Sequence, residues 1–539
     1  MELLQILPLT FSPLLLTIAA IFLFSILVSK KKAHANKNGP NNGTTHHNLP
    51  PAPWKLPVLG HLHHFLTSAE PPHRRLRQLA RAHGDVMQLD LGEISHVVVS
   101  SAEAAKEVMR THDIKFAQRP FHPHQAKIMY GGINLIHSPY GEYWRQLRRI
   151  ATLELLTAKR VDSLRRVREP EVLAMVSTIA DAAQCTSATS AAHAGEAATV
   201  DLTRVLFGLS YSIISKATFG DVSEEQEEFI AIAEALVRHG GGFGLSFLFP
   251  SSGLVQRLFG VKEWLDKMHE GTDRLAESII RQHREKRAVS RKAEDEEDLL
   301  DVLLNLQEDE TTLGFNLSTE AIKAFLLSCM QDIFLAGSET PSSLTEWAMS
   351  EMIKNPEVLQ KAQNEVRKVF GEKKRVDEAG IRDLPYLKMV IKETLRLHTP
   401  APLVLPRECR EECRVGGFDV PLKTTVVVNA WAIARDPRYW GDEAEKFCPE
   451  RFSNTEVTFR GGDFEFLPFG AGRRMCPGMT FGLAAVELPL ANLLYHFDWK
   501  LPHGVEPANL DMEEIFGITV RRKNHLELIP VLRNPVPTV

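Results

Sequence analysis

Hydrophobic and polar positions divide the chain into stretches of different period. Leu3 to Ser29 carries no charged residue and is closed by Lys30-Lys31-Lys32. About 20 apolar residues in a helix cross the hydrocarbon core of a bilayer. A run this long, with no Lys or Arg before it, predicts a transmembrane signal anchor over 3–29 rather than a cleaved leader. The lysines keep its C-terminal side cytoplasmic, so the sequon Asn42-Gly43-Thr44 is expected to stay unglycosylated. Residues 30–49 read as a polar linker. The segment 50–60 opens on Pro50-Pro51-Ala52-Pro53-Trp54, a stiff hinge, because each proline locks φ and removes a donor.

Beyond the hinge, Val86 to Ser100 alternates apolar and polar positions about Gly92 and predicts a hairpin. Ser101 to Arg110 predicts a helix capped by its serine. Residues 183–197 (Ala/Ser/Thr-rich) and Lys286 to Asp298 read as surface loops. Helical periods fill Ser223 to Arg287, broken at Gly240–Gly244 and again at Pro250–Gly253. Ser318 to Met352 reads as one long helix interrupted around Ala336–Ser343, and Met479 to Phe497 as another that Pro489 should kink. The prolines of His398–Arg407 predict an extended strand.

Composition narrows this only a little. The chain has 539 residues, 44% of them hydrophobic, and a formal net charge of −5, which gives no sign of nucleic-acid binding. Six cysteines in so long a chain are not a disulfide framework. Cys409-x-x-x-Cys413 has no matching second pair, which argues against zinc, so the protein reads as reducing and cytosol-facing. No dinucleotide-binding glycine fingerprint occurs, and reducing equivalents are expected from a partner.

The densest chemistry is Phe469-Gly470-Ala471-Gly472-Arg473-Arg474-Met475-Cys476-Pro477-Gly478. A cysteine at the mouth of a helix feels the positive end of its dipole, which lowers the thiol pKa and favours the metal-binding thiolate. The glycines allow backbone conformations closed to other residues. Upstream, Trp144 and Arg148 share a helix face, and both can donate to a carboxylate; alone they read as a half-buried tryptophan and a surface arginine. Glu339-Thr340 puts an acid and a hydroxyl in a buried helix, costly unless they serve something. Glu393 and Arg396 are a helical i, i+3 pair of a common surface kind.

The spacing Phe469-x-x-Gly472-x-Arg474-x-Cys476-x-Gly478 resembles the haem-thiolate loop of the cytochrome P-450 monooxygenases. Ala336-Gly337-Ser338-Glu339-Thr340 resembles their oxygen-side motif, Glu393-x-x-Arg396 with Arg451 their Glu-Arg-Arg triad, and Trp144-x-x-x-Arg148 their C-helix motif. The resemblance implies a mainly α fold with a small β-rich lobe and one haem-thiolate catalytic domain over 61–539. It implies Cys476 as axial iron ligand. Trp144, Arg148, Arg407, Phe469, Arg474 and Gly478 would hold haem b, the first three and Arg474 through its propionates. Thr340 and Glu339 would deliver protons to dioxygen, with Glu339 relaying from solvent. Pro341 departs from the motif's usual Thr or Ser and is expected to reinforce the helix break.

Ile133, Leu135, Leu327, Ala336, Ala401, Val404 and Ile518 are the candidate pocket walls, mostly apolar, which implies a lipophilic substrate. Leu403 is a further candidate. The phrases YGEYWRQLRRI and LPFGAGRRMCPG look most like the plant specialised-metabolism group, near the premnaspirodiene oxygenase-like terpene oxygenases. The implied activity is insertion of one oxygen atom from O2 into a terpenoid, with electrons from NADPH through cytochrome P-450 reductase at the endoplasmic reticulum membrane. A phenolic lipid, aromatic or indole-derived substrate stays open, as does a non-oxygenating haem isomerase or haem-binding sensor.

Overall fold

The computed structural model describes residues 48–121, 134–189, 199–220, 245–289, 293, 296–308, 336–517 and 519–537. The anchor at 3–29, most of the linker, the sequon, and Ile133, Leu327 and Ile518 lie outside them. Among the described residues no helix is long and apolar enough to cross a membrane.

The proline hinge is extended, and the carbonyl of Pro51 accepts from the Gln88 N–H at 2.9 Å, which ties the hinge to the first strand. Helix α1 (Pro72–His83) begins on a proline, whose missing N–H costs nothing in a first turn. It buries Leu76, Leu79 and Ala80 and ends at Gly84. The hairpin forms as expected: β1 (Val86–Leu91) pairs antiparallel with β2 (Ile94–Val99), in register Val86↔Val99 to Leu91↔Ile94. Ser101 then caps Ala102–Lys106 through a 3.3 Å bond from the Ala104 N–H, and a wider π-type turn, Glu107–Thr111, follows.

The helical body contains α2 (Glu142–Ile150) and α3 (Arg165–Thr189). Helix α3 runs on to Thr189, past the start of the loop expected at 183–197, because alanine-rich sequence sustains a helix as readily as it fills a loop. The short strand β3 (Val200–Asp201) leads into α4 (Leu202–Phe219). The expected break near Pro250 is present, with Leu245–Leu248 and Gly253–Leu258 preceding the long helix Val261–Val289.

Helix α5 (Ala336–Lys354) is buried on nearly every side from Pro341 to Ile353, as a central helix must be. It packs on α4, and a Cβ on Gly337 would stand 2.8 Å from Ile214 Cδ1, so this glycine sets the close approach. The interruption expected at 336–343 does not occur in the described stretch: α5 is continuous through Pro341. Proline removes the bond to the Gly337 carbonyl. Nearby hydroxyls bond back to helix carbonyls, Ser342 to Ser338 at 2.7 Å and Thr345 to Pro341 at 2.8 Å, and neither reaches Gly337.

Helix α6 (Pro385–Leu397) precedes the second half of the β lobe: β4 (Arg407–Glu408), β5 (Cys413–Val415), β6 (Phe418–Val420) and β7 (Thr425–Val428). The larger sheet runs β1-β2-β7-β4, with β7 parallel to β2. All of β7 is buried, which suits its β-branched run Thr425-Val426-Val427-Val428. The strand expected over His398–Arg407 shrinks to Arg407–Glu408. Ahead of it the chain turns, with the Val404 N–H donating to the Ala401 carbonyl at 3.0 Å and the Trp431 N–H to Pro402 at 3.1 Å. Proline excludes helix here but is as much at home in a turn as in a strand.

Helix α7 (Met479–His496) stays continuous through Pro489 and packs on α5. Strand β8 (Phe497–Lys500) follows it, then β9 (Glu514–Phe516), β10 (Val520–Arg522) and β11 (Glu527–Leu532). Strand β11 lies between β3 and β8, and β10 pairs with β9. The main core joins α3, α4, α5, α6 and α7 through residues such as Leu209, Leu344, Met349, Leu395 and Leu490. Burying each such side chain contributes about 1.5–3 kcal/mol.

Candidate functional site

The cysteine loop closes at the N-terminus of α7. The Cys476 N–H donates to the Phe469 carbonyl at 3.0 Å, and the Phe469 ring meets Phe459 edge-on at 5.4 Å. Gly470 (φ +67°) and Gly472 (φ +69°) hold left-handed backbone. A Cβ on Gly472 would stand 2.2 Å from the Met109 carbonyl oxygen and 2.6 Å from Asp113 Oδ1. Gly478 differs from the expectation: its φ of −89° is open to any residue, and a Cβ there would meet nothing within 4 Å. What position 478 supplies is its N–H, directed at the Cys476 sulfur.

Cys476 is exposed, yet protein crowds around it, and that burial pushes its thiol pKa up. The Gly478 N–H and the Arg148 charge pull the other way without overturning it. Helix α7 starts at Met479, so the sulfur lies ahead of its first turn, and the Gly478 N–H is the group that reaches it.

The expected propionate ligands converge. Arg474 stacks on the Trp144 ring at 4.2 Å. Burial, then repulsion from Arg407 and Arg148, brings the Arg474 pKa down to about 9. Burial also lowers Arg148, which the Cys476 sulfur partly restores. Most donors in this cluster already have acceptors. Trp144 Nε1–H donates to the Leu135 carbonyl at 2.9 Å, and Arg474 donates to Ala117, Leu135, Ile136 and Ser138 carbonyls. Arg407 donates to Asp113 at 2.9 Å and to the Ala471 carbonyl at 2.7 Å, while its Nε is buried without a partner.

Asp113 is the residue that sequence reasoning missed. It is buried and accepts from Arg407 through Oδ1, and from both the backbone and the side chain of Arg473 through Oδ2, at 3.0 and 2.9 Å. One carboxylate thus anchors the cysteine loop to β4. Nothing local in Thr111-His112-Asp113-Ile114 signals this, because both partners are distant in sequence.

The structure brings Glu393, Arg396 and Arg451 together. Glu393 accepts two bonds from Arg396 at 2.8 Å, one from Arg451 at 2.8 Å and one from the Cys448 N–H at 2.9 Å. Arg396 also donates to the carbonyls of Ala434, Ala444 and Lys446, so every charge in this buried cluster is met.

On α5, neighbouring Glu339 and Thr340 face different surroundings. Glu339 is buried, and its Oε2 accepts from the Thr519 hydroxyl at 2.6 Å, so it stands apart from the solvent it was expected to relay from. The Thr340 hydroxyl donates to the Ala336 carbonyl. A helix turns about 100° per residue, which points consecutive side chains apart. Of the described pocket candidates, Leu135 is buried, Ala401 and Val404 are half-buried and Ala336 is exposed, while Leu403 belongs to the core beneath the β lobe. Val404 has φ +46°, strained for a β-branched residue, and its Cγ1 stands 3.4 Å from where a Cβ on Gly470 would lie.

These residues fit the haem that the resemblance implies. A sulfur with an N–H aimed at it suits a soft metal ion. Arg148, Arg407 and Arg474 repel one another, and the buried partnerless Nε of Arg407 calls for an anion such as a carboxylate.

The sequence profile of the family Cytochrome P450 matches residues 50–527. The desmethyl-deoxy-podophyllotoxin synthase of Sinopodophyllum hexandrum is 47% identical over 516 residues, 95% of this chain and 96% of its own. The premnaspirodiene oxygenase of Hyoscyamus muticus is 44% identical over 521 residues, 96% of this chain and 99% of its own. A zebrafish cytochrome P450 solved with progesterone superposes with a TM-score of 0.69 at 22% identity, covering 86% of this chain and 99% of its own, a likeness of fold. With the family come haem b, O2 and NADPH through a reductase. The chain belongs to the cytochrome P450 family and is a monooxygenase of plant specialised metabolism.

Proposed function

We propose that this chain oxygenates a terpenoid, with Cys476 as the iron ligand. Bound haem supplies the reductive activation of O2 and the insertion of one oxygen atom into a substrate C–H bond, with electrons from NADPH through the reductase. The chain's own part is to hold, to route protons and to exclude water. The Gly478 N–H steadies the charge on the Cys476 sulfur. Arg148, Arg407 and Arg474, with Trp144, hold the carboxylates of the cofactor, and Asp113 aims Arg407. Glu393, Arg396 and Arg451 lock the segment that precedes the cysteine loop. Glu339, whose carboxylate the Thr519 hydroxyl holds, and Thr340, whose hydroxyl rests on the Ala336 carbonyl, would each handle protons on the oxygen side.

The observation that carries the substrate class is the 44% identity to a premnaspirodiene oxygenase over nearly the whole of both chains, together with the apolar candidate walls. A second reading, an aromatic or phenolic substrate in place of a terpenoid, rests on the 47% identity to a desmethyl-deoxy-podophyllotoxin synthase, a relative whose name points away from terpenes. The same proposal places residues 3–29 as a single-pass anchor in the endoplasmic reticulum membrane. The linker at 30–49 and hinge at 50–60 then lead to a cytosolic domain over 61–539.

Microsomes carrying this protein and a reductase, offered mixed terpene hydrocarbons and phenolic lipids, test the reading by mass spectrometry. NADPH-dependent terpene products heavier by one oxygen are expected. Products from the phenolic lipids alone would overturn the terpenoid assignment and leave the second reading in place.

A further inference from the structure

Cys409 and Cys413 meet across the short loop Arg410-Glu411-Glu412 on the β lobe, just beyond the strand that carries Arg407. Both are free thiols. Cys409 follows β4, and its backbone is fixed on both sides: its N–H donates to the Thr424 carbonyl at 2.9 Å, and its carbonyl accepts from Lys423 at 2.7 Å. Cys413 opens β5 and lies directly opposite Val420 of β6. The Cys409 sulfur stands 3.6 Å from the Val420 carbonyl oxygen and 3.1 Å from that of Glu411. Both side chains thus converge on one residue of the facing strand, and a thiol–thiol hydrogen bond joins them.

The surroundings favour reactivity. Cys409 is fully buried and Cys413 half-buried, so an oxidant from solvent reaches Cys413 first. The Cys413 thiol, donating to its partner, holds Cys409 below the ordinary thiol range, and Lys115 adds positive charge beside it. Cys413 is pushed up by the same bond. The Glu411 carboxylate fixes Lys115 in place at 2.6 Å. A pair of thiols that shares one proton in this way ionises once with ease.

We propose that Cys409 and Cys413 form a redox-active dithiol that hydrogen peroxide closes, reversibly, to a disulfide. Half-exposed Cys413 passes its proton to the Cys409 thiolate, and the Cys413 thiolate so formed attacks the peroxide O–O bond and becomes a sulfenic acid. The displaced hydroxide takes the proton from Cys409 and leaves as the first water. The Cys409 thiolate then attacks the Cys413 sulfur and expels hydroxide, which takes up the proton lost when the pair first ionised and leaves as the second water. Two thiols lose two electrons and two protons, and one peroxide becomes two waters. A second thiol already in contact captures the sulfenic acid before further oxidation. A reducing thiol pool such as the cytosol's reopens the bridge by exchange.

The holoprotein in its membranes is the material for the test. It is titrated with hydrogen peroxide, quenched by thiol alkylation, digested and weighed by mass spectrometry. Cys448, half-buried in the same preparation, serves as the internal comparator. The expected result is loss of both alkylated peptides together, a linked Cys409–Cys413 species, and its complete reversal by dithiothreitol. That should happen at least about tenfold lower peroxide than oxidation of Cys448, the order of advantage that thiolate character and a resolving partner give. Cys409→Ser should abolish the link and let Cys413 proceed to sulfinic acid. Oxidation of the pair no more readily than Cys448, or sulfinic acid at Cys413 with no linked species in the unsubstituted protein, would overturn the proposal.

Discussion

Thr519 donates its hydroxyl hydrogen to Glu339 Oε2 at 2.6 Å, joining the turn before β10 to the first turn of α5. Two further contacts brace this junction. The Ser343 hydroxyl donates to the Val520 carbonyl at 3.0 Å, and the Val520 N–H to the Pro400 carbonyl at 2.9 Å. Thr519 therefore sets where the Glu339 carboxylate points. Thr519→Val removes the donor and leaves a buried carboxylate short of a partner, at a cost of about 1–3 kcal/mol. We expect product per NADPH consumed to fall several-fold at unchanged substrate KM, and Thr519→Ser to restore it. An unaltered ratio in Thr519→Val would remove Thr519 from the proton path.

Glu393 holds two guanidinium groups at 0% exposure of its own side chain. Glu393→Gln keeps the shape but strands both cations, and breaking a buried ion pair from one side costs about 3–5 kcal/mol. The loss should appear as failure to retain haem, read as a missing thiolate-type carbon monoxide spectrum at normal protein expression. Full haem occupancy in that variant would contradict a structural role for the cluster.

Two glycines of the cysteine loop separate sterics from hydrogen bonding. Gly472→Ala must place a Cβ 2.2 Å from the Met109 carbonyl oxygen in left-handed backbone, so the loop and Asp113 both have to shift. Gly478→Ala meets nothing within 4 Å and keeps the N–H that faces the sulfur. We expect the first to lose the thiolate-type spectrum and the second to retain it. Equal spectra from the two would show that the loop tolerates rearrangement.

Glu514 gives the fold a dependence on acid. Burial raises its pKa, but the hydrogen bonds from His73 and Arg74 outweigh burial and hold it at about 2, against an ordinary 4.5. Burial keeps His73 towards its neutral form, so Arg74 supplies the pairing charge. A depressed carboxylate stabilises the folded state fully above its unfolded pKa, here by about 3 kcal/mol. That stability fades as pH falls from about 5 towards 2. The difference in melting temperature between the parent and Glu514→Gln should be constant at neutral pH and shrink across that window. A difference that grew with acidification would reverse the sign of this account.

What could be read in the sequence was whatever is dense and local. The cysteine loop crowds its glycines, arginines and sulfur into one short segment, and the Glu393–Arg396 pair sits within one helical turn. Hairpin β1–β2 announces itself by alternation about Gly92. Asp113 was invisible because its partners Arg407 and Arg473 lie 294 and 360 positions away. Crowding around the Cys476 sulfur was equally out of reach, because it depends on everything packed there. Pro341 was expected to reinforce a helix break, yet α5 runs on through it, buried from Pro341 to Ile353. Tertiary packing of that kind overrides local propensity, and a local reading does not contain it.

Strand β11 has a consequence for biosynthesis. Residues 527–532 lie between β3 at 200–201 and β8 at 497–500, so the sheet has no middle until residues 527–532 have been made. A nascent chain on the ribosome can coil its helices early, but β3 and β8 must wait with open edges. Closure of this sheet therefore waits long after β3 has been made. A stop codon ahead of residue 527 would leave two unpaired strand edges for quality control to find.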